Sequence, residues 1–146
     1  MVSKENLYNY RFIIIILVLV AFDIFSKVIA NNNLSFGQST ETFIPFIKLF
    51  LVYNSGIAFG IFDNRGDLAS NILLILTILI TIYLLWMIAN EIKDRNKIAL
   101  SFISSGAIGN VLDRINDGSV TDFLHLKIYN YSFFIFNLAD AFITIG

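Results

Sequence analysis

The segment ILLILTILITIYLLWMIA, from Ile72 to Ala89, carries no charged residue. A helix needs about 20 apolar residues, each rising about 1.5 Å, to cross the hydrocarbon core of a bilayer. With its flanks this segment meets that length, and no polar stripe gives it a face for water. Phe12 to Ala30 is a second apolar run, broken by Asp23, Ser26 and Lys27. Ile98 to about Ile115 is a third, and its Ser101, Ser104, Ser105, Gly106, Ala107 and Gly109 suit close helix packing. The fourth is expected from near Tyr131 to Gly146, a reach of only about 23 Å at the usual rise. It reads as a last helix cut short at its C-terminal end.

Composition agrees. The 146 residues are 57% hydrophobic and 14% charged, against about 45–50% and about 25% in soluble domains; mean hydropathy is +0.75. The expected fold is a mainly α membrane protein, a single domain over residues 1–146. Four transmembrane helices carry a small extracytoplasmic β-rich segment between helices 1 and 2. That segment contains Phe43 to Tyr53, rich in aromatic and β-branched residues. It reads as one or two strands at the membrane surface, followed by a turn punctuated by Gly56 and Gly60.

Lysine and arginine set the orientation. Lys4 and Arg11 precede the first run, and Lys93, Arg95 and Lys97 crowd the link between the second and third. Residues 31–69 hold only Lys48 and Arg65. Both termini and residues 90–97 are therefore expected in the cytoplasm, with residues 31–69 and 116–130 outside. A cleavable signal peptide fits the first run poorly, because Asp23 and Lys27 interrupt its end.

Net charge is -1, which gives no bulk electrostatic case for nucleic acid. No cysteine is present, which excludes disulfides, a cysteine nucleophile and thiolate metal sites. His125 is the only histidine and reads as an interfacial polar residue. No metal site and no cofactor are expected.

Polar groups within apolar spans are costly, so each needs a reason. Given the orientation, they gather in the outer half. Asp23 and Lys27 are four apart on the first helix, hence on one face. Gly106, Asn110 and Arg114 follow the same spacing on the third, with Asp113 beside them. Asn137 and Asp140 are three apart near the outer start of the fourth, and Asp122 lies in the short outward link. Plainer roles exist for most of them. Asp23 with Lys27 can be a structural ion pair, Asp113 and Arg114 a helix end, and Asn110 and Asn137 interhelical hydrogen-bond glue. Asn54 can serve a turn and Asp122 a solvated loop. Asp140 is the hardest to explain so, because no basic residue follows it.

Five blocks, in this order, carry a resemblance: Asp23-Ile24-Phe25-Ser26-Lys27, Asn54-Ser55-Gly56-Ile57-Ala58-Phe59, Gly106 to Arg114, Val120-Thr121-Asp122-Phe123, and Phe136-Asn137-Leu138-Ala139-Asp140. Together they resemble the lipoprotein signal peptidase (signal peptidase II) family over essentially the whole chain. One departure is Ser105-Gly106, where the family often has a glycine pair. The resemblance implies an intramembrane aspartyl endopeptidase of the bacterial inner membrane. Such an enzyme removes signal peptides from diacylglyceryl-modified prolipoproteins, cutting before the lipidated cysteine. It implies Asp122 and Asp140 as the catalytic pair. Asn54, Gly56, Asn110, Arg114 and Asn137 then bind substrate or support the site, while Asp23, Lys27 and Asp113 have structural roles. The expected partners are lipid-modified prolipoproteins and membrane lipids, with no nucleic acid and a monomeric state.

The chemistry is consistent. Two close carboxylates share one proton: the ionised one activates water and the protonated one polarises the scissile carbonyl. A transporter or proton channel is the main rival, and it calls for polar groups through the full membrane depth. A non-catalytic assembly subunit does not account for Asp122 together with Asp140. Another type of intramembrane aspartyl protease would carry a Gly-x-Gly-Asp motif, which is absent.

Overall fold

The computed structural model describes residues 4–56 and 66–146, with side chains from Tyr10 and, after the gap, from Ser70. The elements are α1 (Lys4–Asn33), β1 (Ser39–Glu41), β2 (Ile47–Asn54), α2 (Gly66–Asn90), α3 (Asp94–Asp117), β3 (Val120–Ile128), β4 (Tyr131–Phe136) and α4 (Leu138–Ile145). The turn expected at Gly60, the aromatic Phe59 and the cation Arg65 lie outside the described residues.

The protein is mainly helical with one antiparallel sheet in the order β1-β2-β3-β4. Two expectations change here. The sheet is not confined to the link between the first two helices, because β3 and β4 come from the link after α3. The fourth helix does not begin near Tyr131, since Tyr131–Phe136 is a strand and α4 has 8 residues. The aromatic run YSFFIF favours a pleated, half-buried surface over a helix. Tyr129, with a φ of 52°, turns the chain between β3 and β4.

Two of the described helical stretches are long and apolar enough to cross a membrane, Tyr10–Asn33 and Ser70–Asn90. Almost none of the second is buried. Ile75, Leu79 and Trp86 are each 59% exposed, which is costly in water and natural in lipid. α1 buries a single stripe at helical spacing: Phe12, Ile16, Val20, Asp23, Lys27 and Ala30. The C-terminal half of that stripe carries Asp23 and Lys27.

α3 is the hub, packing against α1, α2 and α4. Its inward residues Ser101, Ser104, Ser105, Gly106 and Gly109 are small, which lets neighbouring backbones approach. A Cβ at Gly106 would collide with the carbonyl of Ala139, and one at Gly109 with the carboxylate of Asp23. Gly118, in the left-handed region at φ 69°, ends α3 and donates its N–H to the Arg114 carbonyl. The sheet rests on the C-terminal end of α1 through Ala30, Leu51 and Phe123, with Leu34, Leu49, Leu124 and Leu138 around them.

Candidate active site

Strand register brings the first partners together. Val52 faces Asp122 and Asn54 faces Val120 across the β2–β3 ladder. Side chains two apart on a strand share a face, so Asn54 and Asp122 are diagonal neighbours. The Asn54 amide donates from Nδ2 to Asp122 Oδ2 at 3.0 Å. Its own Oδ1 accepts the Gly56 N–H at 2.8 Å, and Gly56 can close this turn because its φ is 78°.

β4 runs back along β3 and ends with Phe136 opposite Leu124, which delivers Asn137 beside Asp122. Asn137 is the N-cap of α4. Its Oδ1 accepts the Asp140 N–H at 3.0 Å, and its own N–H donates to Asp140 Oδ2 at 3.2 Å, forming a capping box. Nδ2 of the same side chain donates to Asp122 Oδ1 at 2.7 Å and lies 3.2 Å from Asn110 Oδ1. Asn110, on α3, donates from Nδ2 to Asp140 Oδ1 at 2.9 Å. Each of the four oxygens of Asp122 and Asp140 thus receives one N–H, from Asn54, Asn110 or Asn137.

Beneath this frame lies an ion cluster. Lys27 Nζ is 2.7 Å from Asp23 Oδ2, 3.0 Å from Asp113 Oδ2 and 3.2 Å from Asn110 Oδ1. Asp23 is 0% exposed, and its Oδ1 accepts the Ala139 N–H at 2.9 Å, tying α1 to the start of α4. Asp113 Oδ2 accepts the Thr121 N–H at 2.9 Å, tying α3 to β3. Removing Lys27 would leave both carboxylates without their cation, and breaking a buried ion pair in this way typically costs about 3–5 kcal/mol.

All ten residues singled out from the sequence therefore converge. Arg114 is half-buried, within electrostatic reach of Asp122 and Asp140, and its Nη2 lies 3.7 Å from where a Gly56 Cβ would sit. Its buried Nε has no hydrogen-bond partner among the described residues. Two contributors went unseen in the sequence: the N–H groups of Ala139 and Thr121, and the room Gly109 leaves for the Asp23 carboxylate. The Gly106–Gly109 spacing was the available signal for the last.

Asp122 is 3% exposed. Burial pushes its carboxyl up from 3.8 to about 6, and the nearby Asp140 pushes the same way. The amides of Asn54 and Asn137 and the Lys27 charge pull it back. Among the described residues no cluster of His, Cys, Asp or Glu suits a metal ion. His125 stays apart on the sheet, its Nε2 2.7 Å from Ser132 Oγ.

The family model for signal peptidase (SPase) II matches residues 15–146. The chain belongs to the signal peptidase II family. It is 42% identical to a lipoprotein signal peptidase of Pelagibacter ubique (strain HTCC1062), over 99% of this chain and 87% of that one. Against the lipoprotein signal peptidase of Buchnera aphidicola subsp. Schizaphis graminum it is 38% identical, over 95% and 90%. A solved bacterial membrane enzyme, determined by the in meso method at 1.9 Å, matches with a TM-score of 0.77 and 34% identity, covering 92% of this chain and 86% of that one. Family membership makes the chain a protease of the bacterial membrane, and the neighbouring folds agree with its apolar helices.

Proposed function

We propose that this chain is an intramembrane aspartyl endopeptidase that releases signal peptides from diacylglyceryl-modified prolipoproteins, with Asp122 and Asp140 as its catalytic pair. The observation that carries the assignment is the shared frame: two carboxylates from distant segments, every oxygen donated to by an asparagine N–H. Glue between helices would need no second acid there.

The pair works with one proton. The ionised carboxylate takes a proton from water as that water attacks the scissile carbonyl carbon. The protonated one hydrogen-bonds the carbonyl oxygen and then supplies its proton toward the leaving nitrogen. Burial raises Asp122 to about 6, so it holds a proton to a higher pH than an ordinary carboxyl does. Arg114 and Asn54 hold backbone carbonyls of the extended substrate near the cleft. An apolar cavity of about 460 Å³, lined by Phe134, Phe136, Ala141 and Ile145 and reaching Asp140, suits the apolar part of the signal peptide or an acyl chain.

In this reading all four helices enter the bilayer as one domain, both termini face the cytoplasm, and the pair sits near the outer surface of the inner membrane. The protein works as a monomer without a cofactor. An ion path is less favoured, because the inner half of the α1 stripe is Phe12, Ile16 and Val20, and the Ser101 and Ser105 hydroxyls bond back to their own helix.

Incubating the purified protein with a diacylglyceryl-modified prolipoprotein should produce a mobility shift that the unlipidated precursor does not. No cleavage of the lipidated form would reject the substrate assignment. Reporter fusions after residues 66 and 95 should fall on opposite sides of the membrane, and the same side for both would reject the topology.

A further inference from the structure

We infer that Lys27 is a positioning residue for the proton of the Asp122–Asp140 pair, acting through the orientation of the Asn110 amide. The inference rests on the dyad reading above.

An asparagine amide can be turned either way, presenting its oxygen or its NH₂ to a neighbour, and only its hydrogen-bond partners decide. Here each amide meets a group that can only donate. Gly56 N–H fixes the Asn54 oxygen, and Asp140 N–H fixes that of Asn137. For Asn110 two donors share Oδ1: the Asn137 Nδ2 at 3.2 Å and, as the charged one, the Lys27 ammonium at 3.2 Å. An ammonium has three donors and no acceptor, so Oδ1 must face it. Nδ2 is thereby turned to Asp140 Oδ1 at 2.9 Å. Lys27 cannot swing away, because it is 3% exposed and held by Asp23 and Asp113.

The chemical consequence follows from counting donors. With all three amides turned this way, the frame offers both carboxyl groups N–H donors, and a carboxylic O–H finds no amide oxygen there to donate to. The shared proton is left to the lone pairs that face the cleft, where water and the scissile carbonyl meet. Without Lys27, the Asn137 Nδ2 alone holds that oxygen, and Asn110 turns more readily. Its Oδ1 can then accept the O–H of a protonated Asp140, which holds the proton on the wrong side and withdraws a donor from the ionised form. Both effects favour the protonated pair.

The test is a double-mutant cycle between Lys27→Met and Asn110→Ala. Two readouts are used: the pH dependence of kcat on lipidated prolipoprotein, and the pH midpoint of the protonated carboxyl C=O infrared band, which needs no turnover. With Asn110 present, Lys27→Met should raise the midpoint by about one pH unit and lower kcat more than tenfold, with KM within about twofold. In the Asn110→Ala background the same change should move the midpoint by less than about a third as much. Equal shifts in both backgrounds would mean that Lys27 acts by charge or scaffold alone, and would overturn the inference. If Lys27→Met does not fold, Asp23→Asn/Lys27→Met/Asp113→Asn replaces it, since each asparagine keeps an oxygen for the Ala139 and Thr121 N–H groups. The dyad reading fails separately, by continued cleavage in Asp122→Asn or Asp140→Asn.

Discussion

Asp140 and Asp122 reach one frame by different routes. Asp140 stands in the first turn of α4, fixed by a capping box, by Asn110 on α3 and, through Asp23 and Lys27, by α1. Asp122 stands on β3, where a single amide from the open end of β2 supports one of its oxygens. Asn54 and Gly56 on that side are exposed, while Asn137, Asp23 and Lys27 on the other are buried. The helical half is built to be rigid and closed. The sheet half is built to be reached, which is where an extended substrate has to enter. The two halves should therefore respond differently to substitution.

The largest expected effect abolishes the difference. Asp122→Asn and Asp140→Asn each remove one acid–base partner while keeping size and most hydrogen bonds. Both should lower kcat by about 10³-fold or more, with unchanged amounts of folded protein by thermal melting in detergent. Near-normal turnover in either variant would take that residue out of the pair.

Next comes a change that only the helical half should feel as a folding defect. A methyl group at Gly109 meets the Asp23 carboxylate and the Ala139 side chain. Overpacking of this kind costs about 1–3 kcal/mol. Gly109→Ala should accordingly lower the melting temperature and the folded yield more than it lowers kcat per folded molecule. Asp23→Asn should behave in the same direction, because it removes the nearer of the two carboxylates that hold Lys27 and leaves only Asp113. Full stability with complete inactivity in Asp23→Asn would assign that residue to the chemistry instead.

The same contrast governs what the sequence could reveal. Helical spacing placed Asp23 with Lys27 and Asn110 with Arg114, because neighbours on one helix are fixed by local geometry alone. The uncharged run from Ile72 identified α2 on composition. Strand pairing was harder. Asn54 and Asp122 are 68 residues apart, and their contact depends on a register that one slipped residue would reverse. In sequence the β4 run YSFFIF reads as a helix start, because a short apolar run has no period that separates the two states. Its aromatic content was the usable clue. The capping role of Asn137 was hidden by the same error, since a cap can be recognised only once the helix boundary is known.

The smallest expected effect sharpens the comparison most, because it alters the charge state of the sheet half without dismantling it. Asn54 Nδ2 donates to Asp122 and favours its ionised form. Asn54→Ala withdraws that donor at an exposed position, so the carboxyl, already raised to about 6 by burial, should rise further. A hydrogen bond to a charged group is worth about 1.5–3 kcal/mol, and one pH unit corresponds to about 1.4 kcal/mol. The limb of the pH–rate profile that reports Asp122 should therefore move up by about one unit. Stability carries the same sign. Between 3.8 and about 6 the folded protein keeps a proton on Asp122 that the unfolded chain has released, so this contribution is full below 3.8 and is lost as pH rises through about 6. In Asn54→Ala the upper edge of that window should climb with the kinetic limb. A kinetic limb that stays in place while the stability window shifts would show that Asp122 titrates outside the rate-determining chemistry, and that the sheet half serves only to hold substrate.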